Sequence, residues 1–388
     1  MTDILEALRN AWSSRFADRA PTVCVRAPGR VNLIGDHTDY NDGFVLPVTL
    51  EQAVYVLAAP RADRHVRLYA LNLDREASFD LDAAGQVGST WRHYVSGVVA
   101  EVNARTPLPH GFDAVIYGDV PLGSGLSSSA AIEVASLLAL QAVYGLDVDP
   151  VEGALLCQRV EHRWIGLQCG IMDQFASRLG RAGHALFLDC RSLQYQEIPM
   201  ALGDAALLII DSKAPRSLAS SKYNERRGEC EAGVEILRRL DPSIASLRDV
   251  SLDLLARHEA ALPAVIFRRC RHVVSENARV EAAATALRAG DLPRLGALMS
   301  ASHASLRDDY AVSSSALDRI VDTALDTEGV YGARLTGAGF GGCVVALVEA
   351  RGVPAIQQQI GEAYRQAFLT EAEFYQVRKN VEAGRVRM

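Results

Sequence analysis

At 388 residues, with a formal net charge of −7, 49% apolar and 22% charged side chains, the chain exceeds the size at which one core usually stops growing and has no basic surplus. That balance excludes a disordered chain and argues against a general nucleic-acid or anionic-membrane surface, yet leaves room for an anionic ligand met by local donors. The seven cysteines are scattered, odd in number and without a C-x-x-C pair, so neither a disulfide framework nor a zinc site is indicated.

The first element, MTDILEALRNAWSSRF, reads as an amphipathic helix lacking the basic start and unbroken apolar stretch of a signal peptide. No run of about 18 uncharged apolar residues follows, so no membrane span is expected and the cytoplasm is the default compartment. Strand-like runs at 23–27, 53–59 and 65–71 precede a helical pattern over 91–104. Residues 112–120 read as a strand, and 128–145 as a helix stopped by Gly145. Asp149-Pro150-Val151-Glu152 has the form of a capping box with Pro at the first helical position, opening a helix to about Ile165. Strands are expected at 184–190 and 205–211, then mostly helix to about 327, a strand at 343–350 and a last helix. The mixture shows no regular βαβ alternation and no repeat, with a soft boundary near residue 200.

Three stretches carry polar or glycine-rich patterns that core packing does not require. GRVNLIGDHTDYNDGF, at 29–44, gathers Arg30, Asp36, His37, Asp39 and Asp42 at the end of an apolar strand. PLGSGLSSSAAIE, at 121–133, lies between a predicted strand and a predicted helix, where small residues let backbone N–H groups and the helix dipole face an anion such as phosphate. It lacks the Gly-Lys-Ser/Thr of a Walker loop, and the chain has only three lysines (213, 222, 379), so phosphate charge must be met by amides, metal ion and arginine. Nor is it a G-x-S-x-G elbow, because Ser127 is followed by Ser128 and Ser129. TGAGFGGC, at 336–343, matches G-x-G-x-x-G, but a strand follows it where a dinucleotide fingerprint needs a helix. Close packing of backbone on backbone explains that loop at least as well as a ligand.

Together these stretches resemble the GHMP kinase superfamily, and the first narrows the resemblance to the galactokinases. GRVNLIGDHTDYNDGFVLP is similar to the galactokinase signature, PLGSGLSSSAAIE to the phosphate loop, CGIMDQFAS (169–177) to the catalytic segment and LTGAGFGGC to the third motif. The resemblance implies an α+β, two-domain GHMP kinase fold: a ribosomal-S5-domain-2-like domain over 1–200, a ferredoxin-like domain over 201–388, and the active site between them. It further implies ATP-dependent phosphorylation of the anomeric hydroxyl of galactose to galactose 1-phosphate. ATP and Mg²⁺ would be the cofactors, a sugar and ATP the partners, with no nucleic acid or membrane, and the chain a cytoplasmic monomer.

Residue by residue, the resemblance makes Asp173 the general base toward the sugar hydroxyl, with Arg30 beside it favouring the carboxylate and stabilising the transferring phosphoryl group. Asp36, His37, Asp39, Gly170 and Tyr223 become sugar contacts, since a sugar presents a fan of hydroxyls that carboxylates and imidazole can read. Gly123, Ser124, Gly125, Leu126, Ser127, Ser128 and Ser129 become the phosphate cradle, Trp91 and Tyr94 neighbours of the adenine, and Ser128 and Glu161 ligands of Mg²⁺. One departure stands out: most galactokinases similar to this chain carry Glu where Asp36 stands. A shorter acid withdraws by about one methylene from a hydrogen bond of ~3 Å. That keeps open a kinase for arabinose, galacturonate or N-acetylgalactosamine. A catalytically silent galactose and ATP sensor is opposed by the intact loop and Asp173; a mevalonate or homoserine kinase is opposed by the hydroxyl-reading cluster at 36–39.

Overall fold

The computed structural model describes residues 2–214, 219–377 and 380–388. The expected helical stretch after residue 211 therefore has 215–218 outside the described residues. Helix α1 (Thr2–Arg15) leads into β1 (Val23–Asn32), β2 (Phe44–Val45), β3 (Pro47–Pro60), β4 (His65–Ala70) and β5 (Arg75–Asp80). Next come α2 (Trp91–Arg105), β6 (Phe112–Gly118), α3 (Ser128–Tyr144), α4 (Pro150–Val160), α5 (Met172–Leu179), β7 (His184–Asp189), β8 (Tyr195–Pro199) and β9 (Ala205–Asp211). The chain continues with α6 (Ala219–Leu240), α7 (Leu252–Arg257), α8 (Ala264–Ala289), α9 (Leu292–Asp308), α10 (Ser315–Leu325), β10 (Val330–Thr336) and β11 (Cys343–Glu349). It closes with α11 (Val353–Phe368), β12 (Glu373–Val377) and β13 (Gly384–Arg385).

The strands form a six-stranded sheet ordered β13-β1-β3-β6-β4-β5, a four-stranded sheet ordered β10-β11-β9-β12 and a three-stranded sheet β2-β7-β8. Helix α3 is apolar nearly all round because it lies between the six-stranded sheet and its neighbouring helices, burying Ala131, Val134, Leu137 and Leu140. It ends where Gly145 takes the left-handed conformation and returns its N–H to Gln141. Asp149 caps α4 through the Val151 and Glu152 amides, with Pro150 in the first turn. The helix expected to reach Ile165 keeps its α geometry only to Val160. Residues Glu161–Ile165 wind as a π turn, whose Glu161 carbonyl accepts from both Gly166 and Leu167. Such widened turns re-aim side chains and cluster at functional sites.

Several strands carried no clear sequence signal. Residues of β5, β8 and β12 are mostly exposed or half-exposed edges, so their apolar alternation is faint. In β10 the pattern is broken by Gly332, where a Cβ would lie 2.0 Å from the Gly296 carbonyl of α9; only glycine admits that helix crossing. The last strand, β13, returns to pair with β1, and the main apolar cluster runs from Val25 and Val56 through Val280 and Leu295 to Val345. Among the described residues no helix is long and apolar enough to cross a membrane.

Candidate active site

Two adjoining cavities lie where the end of β1, the loop before α3 and the start of α5 meet the tip of the four-stranded sheet. The larger, about 490 Å³, is the more polar of the two and is walled by Arg30, Asp39, Ser127, Asp173, Tyr223 and Ala338 among others. The smaller, about 280 Å³, is apolar, with Val54, Trp91, Ile116, Val120 and Ile132 on its walls. Tyr94, Ser128 and Ser129 face both. A ligand with a flat apolar end and a charged tail would span the two at the N-terminus of α3.

Asp173 stands in the first turn of α5, but its carboxylate does not cap the helix. Arg30 directs Nε and Nη2 onto Oδ1 at 2.9 and 2.6 Å, and the Ser127 hydroxyl donates to Oδ2 at 2.5 Å. Arg30 is itself fixed by donating from Nη1 to the Gly125 carbonyl at 2.7 Å, and its backbone N–H bonds Leu126. Gly29 makes that contact possible: a Cβ there would lie 2.7 Å from the Leu126 carbonyl, so the loop could not seat on β1. Asp173 retains 30% exposure of its side chain toward the cavity while Arg30 retains 4%, which leaves the carboxylate reachable and its orientation set from behind.

The loop before α3 holds Ser127 at φ +62, and positive φ angles at Gly123 and Gly125 complete the turn. Ser124 and Leu126 face inward, Ser124 donating to the Pro121 carbonyl at 2.8 Å, so these two offer a ligand backbone only. Gly337 of the third motif packs against the Gly125 carbonyl of the loop before α3 and Gly339 against Val312, while Gly337 and Ala338 also line the larger cavity.

The signature segment is threaded with buried polar groups. Asp36 is 1% exposed, its Oδ2 accepting from Arg334 Nη2 at 2.6 Å and its Oδ1 from the Gly337 amide at 3.1 Å. Burial pushes its carboxyl upward and Arg334 opposes that shift. Asp39 accepts from the Met172 amide at 3.3 Å. Loss of hydration, with the neighbouring Asp173 charge adding, pushes its carboxyl up to about 7. Gly170 is the place where Asp39 fits: a Cβ there would come within 2.0 Å of Oδ2. His37, at φ +67, is held neutral by burial, and Tyr223 of α6 lies with its ring 5.5 Å from it.

Distant residues hold this segment, and sequence reasoning missed them. From α8, Glu276 accepts the Gly35 amide at 3.0 Å, Asn277 accepts the Phe44 amide at 3.0 Å, and His272 contacts the Asp36 carbonyl at 3.2 Å. Arg334 also donates to the Asn32 carbonyl at 3.2 Å. The sequence held no clear signal for Arg334, because β10 itself is not legible there; only its burial inside that strand shows that the ionised side chain needs a partner.

Glu161 opens the π turn and is 2% exposed, with Oε2 lacking a hydrogen-bond partner. Ser129 bonds its carboxyl, yet desolvation still pushes it up to about 7. Its neighbours Arg159 and Arg163 pair instead with Glu101. Glu133, one turn beyond Ser129 on α3, is buried beside it with an orphaned oxygen of its own. A buried acid with an orphaned oxygen, bonded by Ser129 at the start of the helix that Ser128 opens, suits a small hard divalent ion, although Glu161 itself lines neither cavity. Among the described residues no group of three or more His, Cys, Asp or Glu could hold a metal ion, so such an ion would draw most of its ligands from elsewhere.

Residues 10–60 match the galactokinase galactose-binding signature, 93–181 the N-terminal domain of GHMP kinases, and 283–366 their C-terminal region. The chain is 48% identical over 366 residues to the galactokinase of Roseiflexus sp. (strain RS-1), covering 94% of this chain and 93% of that protein. With the galactokinase of Chloroflexus aggregans it shares 49% identity over 340 residues, 87% of each. Its fold superposes on that of Lactococcus lactis galactokinase complexed with galactose at a TM-score of 0.94 and 37% identity, over 99% of this chain and 100% of that one. A mevalonate kinase shares the fold alone, at a TM-score of 0.68 and 17% identity over 93% and 100% of the two chains. The chain belongs to the galactokinases, with the α+β two-domain fold of the GHMP kinases.

Proposed function

We propose that the protein transfers the γ-phosphoryl group of ATP to the anomeric hydroxyl of galactose, giving galactose 1-phosphate. The observation that carries this reading is Asp173, fixed by Arg30 and Ser127 at the point where the larger cavity meets the loop before α3. Phosphoryl transfer asks little covalent chemistry of a protein; it asks for an in-line acceptor and offset charge. Asp173 accepts the proton of the sugar hydroxyl as the oxygen attacks, and Arg30 keeps the carboxylate aimed. Amides at the N-terminus of α3 take the phosphates, while Trp91, Tyr94 and the apolar cavity take the adenine. Asp36, His37, Asp39, Gly170 and Tyr223 form the sugar pocket.

Ser128 and Glu161 would hold Mg²⁺, which when bound supplies charge neutralisation of the β- and γ-phosphates. The orphaned Glu161 oxygen supports that assignment. We read the chain as two units meeting near residue 200, working as a cytoplasmic monomer. The test is ADP release across galactose, arabinose, galacturonate and N-acetylgalactosamine. Galactose should give the highest kcat/KM; a higher value with another sugar, or no ADP with any, would overturn the assignment.

A further inference from the structure

The stretch from Gly35 to Phe44, which carries Asp36, His37 and Asp39, closes on itself. The Leu33 amide bonds the Leu46 carbonyl and the Leu46 amide the Ile34 carbonyl, each at 3.1 Å, so the two ends of the loop run side by side. The buried Thr38 hydroxyl lies 2.7 Å from the Gly35 carbonyl and 2.6 Å from that of Phe44, and its one proton ties the ends from within. Between those ends the backbone is strained. His37 at φ +67 and Asp42 at φ +59 hold the left-handed conformation that disfavours residues with a Cβ, so the loop left alone would relax.

What opposes that relaxation comes from the other half of the chain. Glu276 Oε1 accepts the Gly35 amide and Asn277 Oδ1 the Phe44 amide, each at 3.0 Å, so two successive residues of α8 take the first and last amides of the loop. Behind Glu276, Ser302 of α9 donates to the same oxygen at 2.5 Å and Arg279 Nε to the other at 2.7 Å. The seat is close: a Cβ at Gly43 would lie 2.4 Å from Asn277 Oδ1 and 2.6 Å from the Thr38 Cβ. Asp36, His37 and Asp39 stand on the wall of the larger cavity, whereas Thr38, Glu276 and Asn277 do not.

We propose that Thr38, Glu276 and Asn277 are positioning residues for the sugar, holding the strained loop in its binding form before the ligand arrives. This rests on the galactose reading above for the identity of the ligand. With a clamp removed, the loop relaxes in the free protein and the sugar has to order it on binding. The loss then falls on galactose affinity, while turnover at saturating sugar, where the loop is back in place, is kept.

The experiment compares Asn277→Ala with Asn277→Asp, and Thr38→Val with Thr38→Ser, by steady-state kinetics, galactose calorimetry and hydrogen-exchange mass spectrometry. Alanine orphans the buried Phe44 amide, and valine removes the tie at nearly unchanged volume. Each should raise the galactose Kd and KM roughly tenfold, the worth of one hydrogen bond with a buried group left unpaired, with kcat and the ATP KM within about threefold. Aspartate keeps the acceptor and serine the hydroxyl, so both should stay within about threefold of the unmodified protein. Without sugar, exchange over residues 35–44 should be faster in the alanine and valine variants, and saturating galactose should return it to the unmodified level. Should Asn277→Ala fail to fold, the Thr38 pair decides alone. Unchanged galactose constants in the alanine and valine variants, galactose and ATP constants moving together, or aspartate and serine failing as badly, would each overturn the proposal. An unmodified protein that prefers another sugar would instead overturn the galactose reading, and the same comparisons made with that sugar then decide the clamp.

Discussion

Asp173 and Asp39 face the same cavity but are held in opposite ways. Asp173 receives donors on both oxygens, from Arg30 and Ser127, whereas Asp39 has backbone amides for partners and no cation in contact. A positioned acid or base contributes about 10²–10⁴ to a rate, so Asp173→Asn should lower kcat by roughly 10² or more while galactose affinity by calorimetry stays within a few-fold. Unchanged turnover would remove Asp173 from the chemistry. Asp39, pushed up to about 7, is protonated below neutrality and gives up an acceptor there. The kcat/KM for galactose, which reports the free protein, should therefore rise with pH through about 7 and level off above it. Measured at saturating Mg²⁺, where Glu161, likewise pushed up to about 7, would be held as the carboxylate, Asp39→Asn should lose that limb. Stability moves oppositely: between the ordinary carboxylate value and about 7 the folded protein binds more protons than the unfolded chain. The Asp39 contribution is thus full in acid and lost as pH rises through that window.

At the scale of elements, what was legible depended on how a segment is buried and how its partners are spaced. Strands covered on both faces, such as β9 and β11, and helices with a firm stop, such as α3, announce themselves through apolar runs and caps. Edge strands β8 and β12 do not, because their outward residues have nothing to bury against. The same logic governs the site. Contiguous motifs bring Arg30, Asp39 and Asp173 into view, while Glu276 and Asn277 are single polar residues in a long helix, more than 230 positions from the amides they accept. Gly170 belongs to the middle ground. The resemblance places it among the sugar contacts, and the structure adds that the Asp39 carboxylate occupies the volume a side chain would fill. Gly170→Ala should displace that carboxylate and raise the galactose KM tenfold or more, with the ATP KM within about twofold. If both constants move together, the defect lies in the fold of the segment before α5 rather than in the sugar pocket.

Across the whole molecule, the signature segment and the four-stranded sheet are joined by one fully buried ion pair, Asp36 with Arg334. That contact changes the meaning of the shorter acid at position 36. Its two oxygens are engaged by Arg334 and the Gly337 amide, so its first task is to fasten β10 and the third motif to the end of β1. Removing one partner of such a pair leaves an uncompensated charge in the interior, at a cost of about 3–5 kcal/mol, whereas replacing both by apolar groups is often close to neutral. Asp36→Ala should therefore lower the denaturant midpoint strongly, because Arg334 keeps only the Asn32 carbonyl as a partner. The double variant Asp36→Ala with Arg334→Met should recover most of that loss. Galactose affinity should stay low in both, since neither restores a carboxylate at the cavity wall. A double variant as unstable as Asp36→Ala would mean that the pair stabilises through more than charge compensation; one that regains galactose affinity would mean that Asp36 fastens the two sheets without reading the sugar.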